Sequence, residues 1–463
     1  MSPPDTSSSL WSPTLTVDKP GYRELVQAIE TDIRAGRLLP GARLPPHREL
    51  STALGISRGT VARAYDEAQR LGLLSSGIGR GTFVADDYAV RTRQEPASEV
   101  VDFGLGFPLY ELDPDPAPVL SALARDPARF RVMQYPPPGG FDAQRHAGAR
   151  WCRALGVDCD AEAIFITIGA QHAAHLWLRA TLQPGDTLLC AELTYRMVVS
   201  AAESRDVRVR GVAMDEEGIL PEALDAAAER TGARGLFIMP TIQNTTAGVL
   251  SEARRRQVIE IAERRDLQIL EDDIHGFFHE EPRPMPLQAM CPERVTYTAS
   301  LSKILAGGLR VAFAVSPAAR RPGYRSALLT SIYSAPALPT EVAVRWIEDG
   351  TAQATIDGKR REAAYRLDRL REVLGPLVPE LRCGAYYAWM RIPEPWTATR
   401  FAMEARRRDV SVMPAEPFYV GADRPPEYIR ISLGAVTRPE MESGLAVLAD
   451  LASDPQAART FFV

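Results

Sequence analysis

Residues 295–313, VTYTASLSKILAGGLRVAF, decide how this chain is read. VTYTAS is a β-branched and aromatic run of strand length. It enters a loop of small residues carrying Ser300, Ser302 and Lys303, with Arg310 seven residues further on. Small residues let a backbone approach a ligand closely, and hydroxyls with an arginine suit a phosphate. Of 54 basic residues only Lys19, Lys303 and Lys359 are lysine. Only lysine can form a Schiff base, so each one matters. Lys19 precedes the first helical pattern and Lys359 lies in the charged stretch DGKRRE; both read as solvated surface. Lys303 is left as the candidate nucleophile.

Working outward, short apolar runs alternate with long helical patterns: AIFITIG (163–169), DTLLCAE (186–192), RVRGVAM (208–214), GLFIMP (235–240), LQILEDD (267–273), VTYTAS (295–300) and VAFAVS (311–316). This predicts an α/β fold with a mostly parallel central sheet. After about residue 340 come helices, then GAYYAWMRI (384–392) and YIRISLG (428–434), which predict a smaller C-terminal α/β lobe. Gly169-Ala170-Gln171 form a small-residue turn into a helix, whose free N–H groups suit a phosphate. Asp272 stands just past a strand end, where it can pair with a protonated pyridine nitrogen. Asp272, Asp273, His275, His279 and Glu280 also offer metal ligands, but HExxH is missing and the FF and EE around them read as an exposed element, so no metal is expected. His172 and His175, at i and i+3, read as helix packing.

The N-terminal part has a different texture. Net charge is −5 overall, yet residues 34–80 carry eight arginines against three acids, leaving −10 on the remainder. Tyr22, Leu25, Val26, Ile29 and Ile33 fall at helical spacing, a short helix over about 47–54 stops at Gly55, and Ser57 caps a second helix. This is the helix-turn-helix pattern, followed by two short strands around a Gly-rich tip, a wing. In such a motif the second helix reads the major groove. Arg58 opens it and can pair bidentately with guanine, with Arg63 one turn on; Ser57 or Thr60 can bond phosphate or base. Arg43, Arg48 and Arg80 are candidate phosphate contacts. On the charge count alone, a solvated, arginine-rich helical face is the favoured reading.

Hydrophobic content of 45% and charged content of 24% exclude a mostly disordered chain. No uncharged apolar run approaches the roughly 18 residues of a membrane span, and the opening residues lack a secretory signal. The five cysteines form no CxxC pair, which fits a reducing cytoplasm. The expected organisation is a disordered lead over 1–18, a DNA-binding domain over 19–85, a linker over 86–100 and an effector domain over 101–463.

LLPGARLPPHREL (38–50), LGISRGTVARAYDEAQRLGLL (54–74) and GRGTFV (79–84) resemble the GntR family of winged-helix regulators. The resemblance implies specific DNA binding through Arg48, Ser57, Arg58, Thr60 and the wing. Some members carry an arginine where Ala62 stands, which bears on the operator sequence. Residues 101–450 resemble a fold-type I pyridoxal phosphate aminotransferase domain. By position Lys303 matches the catalytic Schiff-base lysine. Gly169, Ala170, Gln171, Ser300, Ser302 and Arg310 match the phosphate binders, Tyr195 the ring-stacking aromatic, and Asp272 the pyridine-nitrogen partner. Asn244 in MPTIQNTTAGVLS matches the residue on the 3′-oxygen, and Arg430 the clamp on a substrate carboxylate. Tyr135 in QYPPPGGFDAQR matches a tyrosine that reaches the partner subunit's phosphate, which implies a homodimer. The chain departs from the family in Asn244-Thr245-Thr246-Ala247, in His275 where a tyrosine is usual, and in Gly307-Gly308; these bear on transamination more than on cofactor binding.

The order of the two domains resembles the MocR/GabR subfamily of GntR regulators. That implies a cytoplasmic, pyridoxal-phosphate-dependent regulator. It would bind an operator in double-stranded DNA and sense an amine or amino-acid effector through an external aldimine formed at the expense of the Lys303 linkage. A working aminotransferase with a residual winged helix is the alternative. A DNA-binding protein with a cofactor-free structural domain is a third reading, opposed by the intact Lys303.

Overall fold

The computed structural model describes residues 11, 13, 21–34, 37–38, 42–70, 73–77, 81–84, 100–279, 282–378 and 384–454, in two units, Met1–Ser98 and Glu99–Val463. Of the stretch read as a linker, only residue 100 is among them.

In the first unit, α1 (Tyr22–Arg34), α2 (His47–Leu54) and α3 (Arg58–Arg70) bury Leu25, Ile29, Leu50, Val61, Ala64, Tyr65 and Ala68 against one another. Gly55 takes a left-handed conformation (φ 64°) that ends α2, where a side chain with a Cβ would be strained. The Ser57 hydroxyl accepts the Thr60 N–H at 3.0 Å and so starts α3. β1 (Leu74–Gly77) pairs antiparallel with β2 (Gly81–Val84). The wing tip, with Arg80, lies outside the described residues. Trp11 falls within the lead read as disordered, yet its indole donates to Asp32 at 2.7 Å and its ring packs on this core.

In the second unit, β4 (Ile164–Thr167), β5 (Thr187–Ala191), β6 (Arg208–Val212), β7 (Gly235–Ile238), β8 (Gln268–Asp272), β9 (Val295–Ser300) and β10 (Ala312–Val315) form one sheet in the order β4-β10-β9-β8-β7-β5-β6. All seven runs picked out by composition are strands of it. β10 runs antiparallel to both neighbours and the rest are mutually parallel. β4, β5, β7, β9 and β10 are buried at every residue, as a sheet covered on both faces requires. The parallel strands therefore release their loops at one carboxyl edge, where open α/β sheets bind ligands. In the smaller lobe β11 (Tyr387–Arg391), β14 (Tyr428–Ser432) and β13 (Met413–Pro414) form an antiparallel sheet with β14 central, while β12 (Val410–Ser411) pairs in parallel with β3 (Val101–Asp102).

Two expectations are corrected. Lys359 is not on the surface. It lies inside α6 (Thr351–Leu374), on the buried stripe formed by Ala352, Ile356, Ala363 and Arg366, and is fully buried. Its charged neighbours in sequence point to other faces of the helix, which hid its environment. The segment after Asp272 is not exposed either. Phe277 and Phe278 are buried, with Phe277 packed on Trp151 and Phe278 on Tyr386.

Candidate cofactor site and DNA-binding face

Apart from Tyr135, the predicted site residues of the large unit lie at or just beyond strand ends of the sheet or come from the smaller lobe. Asp272 is the last residue of β8 and is buried. Its Oδ1 has no hydrogen-bond partner, and the Ile274 N–H reaches its carboxylate. Burial, then the charge of Asp273, pushes its carboxyl up to about 7, against the pull of the Ile274 N–H and Lys303. Lys303 follows β9, and its ammonium donates to the Gly106 carbonyl. Burial, then the charges of Arg430, Arg310 and Lys359, lowers it to about 8, with Asp272 opposing. At pH 7 about a tenth of it is the free amine, the form that attacks a carbonyl.

The anion end is built from loop backbone and one arginine. Gly169 (φ 88°) precedes α4 (Ala170–Thr181), and a Cβ there would lie 2.7 Å from the Arg310 Nη2. Arg310 itself holds a left-handed conformation (φ 54°), unusual for a residue with a side chain. It donates to the Ser302 hydroxyl at 3.4 Å, and the Ser302 N–H donates to the Ser300 hydroxyl at 3.3 Å. Gln171 is exposed in the first turn of α4. Tyr195 starts α5 (Arg196–Glu203); burial and the Asp272 charge raise its hydroxyl, while Arg310 and Arg430 pull it down.

Arg430, from the centre of β14, donates to Asn244 Oδ1 at 2.9 Å and to the Gly104 carbonyl at 2.7 Å, and its guanidinium lies over the Phe418 ring at 4.6 Å. It is buried and its Nε has no partner. His275 is also buried. Burial, then the Lys303 charge, drives it down to about 3, so its imidazole is neutral across the physiological range. The Tyr387 hydroxyl lies 3.5 Å from His275 Nδ1 and donates to the carbonyl of Ile242 at 3.0 Å. Tyr387, Gly104 and Gly106 were not singled out from the sequence; YY in a strand-like run carries no signal beyond core packing. Tyr135 stands apart, 86% exposed, edge-on to Tyr333 at 5.7 Å. His172 bonds within its own neighbourhood, to the Ile168 N–H and the Ser331 hydroxyl. Asp273 is engaged by Arg283 at 2.6 Å and by the Tyr297 hydroxyl at 2.5 Å. His279 is half-buried, and Glu280 lies outside the described residues.

These features fit a phosphorylated pyridine aldehyde. An unpartnered buried carboxyl oxygen suits the ring N–H, a partly neutral lysine suits the aldehyde carbon, and a helix N-terminus facing an arginine suits the phosphate.

In the N-terminal unit Arg43, Arg48, Ser57 and Arg58 are exposed and Thr60 is half-buried. The Ser57 hydroxyl is engaged in the cap and with the Thr60 hydroxyl at 2.9 Å. Arg63 is exposed too, with its guanidinium over the Tyr22 ring at 4.2 Å. Among the described residues no helix is long and apolar enough to cross a membrane.

Comparison with known proteins agrees with this geometry. Residues 98–448 match the model of aminotransferase class I and II. The chain belongs to that family. Residues 21–84 match the bacterial regulatory proteins of the gntR family. The uncharacterized HTH-type transcriptional regulator YdeF of Bacillus subtilis is 28% identical over 96% of this chain and 97% of its own. The probable rhizopine catabolism regulatory protein MocR of Rhizobium meliloti is 26% identical over 66% and 68%. Among solved structures, LysN, an alpha-aminoadipate aminotransferase from Thermus thermophilus complexed with N-(5'-phosphopyridoxyl)-L-leucine, superposes with a TM-score of 0.69 at 25% identity, over 78% of this chain and 96% of that one. This class I and II aminotransferase chain is thus fused to a GntR-type helix-turn-helix, in the MocR/GabR-type arrangement, and its cofactor is pyridoxal phosphate.

Proposed function

We propose that the protein is a pyridoxal-phosphate-dependent transcription regulator that senses an amine or amino acid at Lys303 and reads DNA with α3. One observation carries this reading. A single chain joins an exposed recognition-helix start at Arg58 to a buried site where Lys303, Asp272 and Arg430 stand together.

Bound pyridoxal phosphate supplies an aldehyde carbon that exchanges one amine for another and a ring that withdraws electrons. The protein's residues do the rest. Lys303 would hold the cofactor covalently and give way to the effector amine. Asp272 would accept the ring nitrogen's proton as a hydrogen bond and be drawn to its charged form by it. Ser300, Ser302, Arg310 and the start of α4 at Gly169, Ala170 and Gln171 would hold the phosphate, with Tyr195 against the ring and Asn244 near its oxygen. Arg430 would exchange its Gly104 carbonyl for the effector's carboxylate. Tyr135, exposed in one subunit, would complete the partner's site in a homodimer. On DNA, Arg58 would take a guanine, Arg43, Arg48, Thr60 and Arg80 backbone or base contacts, and Arg63 a supporting place against Tyr22.

The chain senses rather than turns over. His275, held as a neutral imidazole, offers a different donor from the phenol usual at that position, and Asn244 stands in a loop without the family's proline. The test mixes holoprotein with a panel of amino acids and pyruvate or 2-oxoglutarate, and follows absorbance, keto-acid release and operator binding together. A saturable spectral shift that changes operator affinity without product is expected. Several turnovers per second with an ordinary amino donor would overturn the reading. They would favour the second one, an aminotransferase with a residual winged helix, which the complete Lys303, Asp272 and Arg430 set permits.

A further inference from the structure

Lys359 is the third lysine of the chain and was read as surface. Its ammonium is instead buried, bonded to Asp113 Oδ1 at 2.6 Å and to the Leu305 carbonyl at 3.0 Å. Each partner has a meaning for Lys303. Leu305 is two residues after Lys303 in the same turn, and its N–H is held by the Leu301 carbonyl at 2.9 Å. Asp113 ends the segment that begins at β3 and supplies the Gly106 carbonyl to the Lys303 ammonium. Lys359 therefore ties together the two chain segments that wall Lys303, from a helix of the smaller lobe. A buried ammonium is costly unless paired, and a leucine or methionine would fill a helix stripe at lower cost. A lysine here calls for a reason beyond packing.

We propose that Lys359 is a positioning residue for Lys303: it clamps the turn after Lys303 to the 104–113 segment and keeps a second positive charge close to the Lys303 amine. The proposal rests on the reading of Lys303 as the cofactor-linking amine. Three other charged groups act on Lys303, namely Arg430, Arg310 and Asp272. Arg430 and Arg310 are engaged to bind anions, and in the occupied site their charge is offset by a carboxylate and a phosphate. Lys359 is bonded to Asp113 and to the Leu305 carbonyl, so its place beside the Lys303 turn does not depend on the site being filled. It thus favours the free-amine form of Lys303 whenever that amine is released, which is the form needed to recapture the cofactor after an effector leaves.

The test uses the full chain and needs no cofactor, so it is independent of whether cofactor and effector act as proposed. The cofactor-free protein is pulse-labelled with acetic anhydride across a pH series, and acetylation of the Lys303 peptide is read by mass spectrometry; with three lysines the assignment is unambiguous. Lys359→Met is expected to raise the pH of half-maximal labelling at Lys303 by at least about half a unit, since loss of a nearby like charge favours the protonated amine. Lys359→Arg, which keeps the charge, is expected to stay near the wild-type midpoint. Asp113→Asn leaves the buried Lys359 without its carboxylate, which favours the neutral amine there, so the midpoint at Lys303 is expected to rise in the same direction as in Lys359→Met. In the holoprotein the pH midpoint of the visible band is expected to move with the same signs. An unchanged midpoint in Lys359→Met, or a rise in Lys359→Arg as large as in Lys359→Met, would overturn the proposal. If Lys359→Met does not fold, Asp113→Asn carries the test, and an unchanged midpoint there would overturn the proposal.

Discussion

At the scale of single residues, the site is a set of groups held away from their ordinary protonation by burial. Lys303, lowered to about 8, is the clearest case. Lys303→Ala is expected to leave a protein that binds pyridoxal phosphate without a covalent bond. Borohydride reduction followed by peptide mapping checks this, and a reduced cofactor found on Lys19 or Lys359 would refute the assignment. Asp272 carries a second prediction. Its carboxyl is raised from 3.8 to about 7, so the folded cofactor-free chain binds this proton more tightly than the unfolded chain. The resulting stability is complete below about pH 4 and is lost as pH rises through about 7. Three units correspond to an upper bound of about 4 kcal/mol. Asp272→Asn is expected to remove that slope from urea unfolding of the cofactor-free protein between pH 4 and 7. It is also expected to weaken cofactor retention. An unchanged slope would show that the carboxyl titrates normally.

Between residue and molecule stand the elements, and here α3 and the strand-end loops matter most. The Ser57 cap turns the first turn of α3 outward, leaving the Arg58 side chain exposed while Val61, Ala64, Tyr65 and Ala68 hold the helix to its core. Arg58→Ala is therefore expected to abolish operator-specific protection in footprinting while leaving the visible spectrum unchanged. One bidentate guanine contact contributes about 1–3 kcal/mol of discrimination. Arg63→Ala is not equivalent. Its guanidinium lies on Tyr22, so its loss acts first on packing between α1 and α3. In the large unit, the same logic places Gly169. A Cβ would intrude on Arg310 and the backbone conformation would be strained, so the loop accepts no other residue without moving the arginine that faces the helix start.

For the whole molecule, sensing requires that effector and operator bind unequally to two states of the chain. Linkage makes the effect reciprocal: if an amino acid weakens operator binding by a given factor, operator DNA weakens amino-acid binding by the same factor. Spectral titrations of the holoprotein with and without operator are expected to give that equality at fixed salt. An amino-acid affinity indifferent to DNA would exclude coupling. Salt must be held constant because phosphate contacts alone make operator affinity fall steeply with ionic strength.

The sequence by itself determined the seven strands of the large sheet, the three helices and paired strands of the winged unit, and the singular place of Lys303. These follow from short-range signals: runs of β-branched residues, caps at Gly55 and Ser57, and the rarity of lysine. Asp272 was legible from its place at a strand end, and the resemblance added Asn244 and Arg430, which the fold brings into a direct bond. What only the tertiary structure decided is the environment of each group. Lys359 read as surface because DGKRRE is charged, yet its helix places position 359 on the buried stripe. His275 read as part of an exposed element, yet it is buried, and burial drives it to about 3. Arg63 read as a DNA contact from its place in the helix, and only the fold shows its exposed guanidinium lying over the Tyr22 ring of a preceding helix. Burial, pairing and charge proximity are properties of residues distant in sequence, and local spacing carries no record of them.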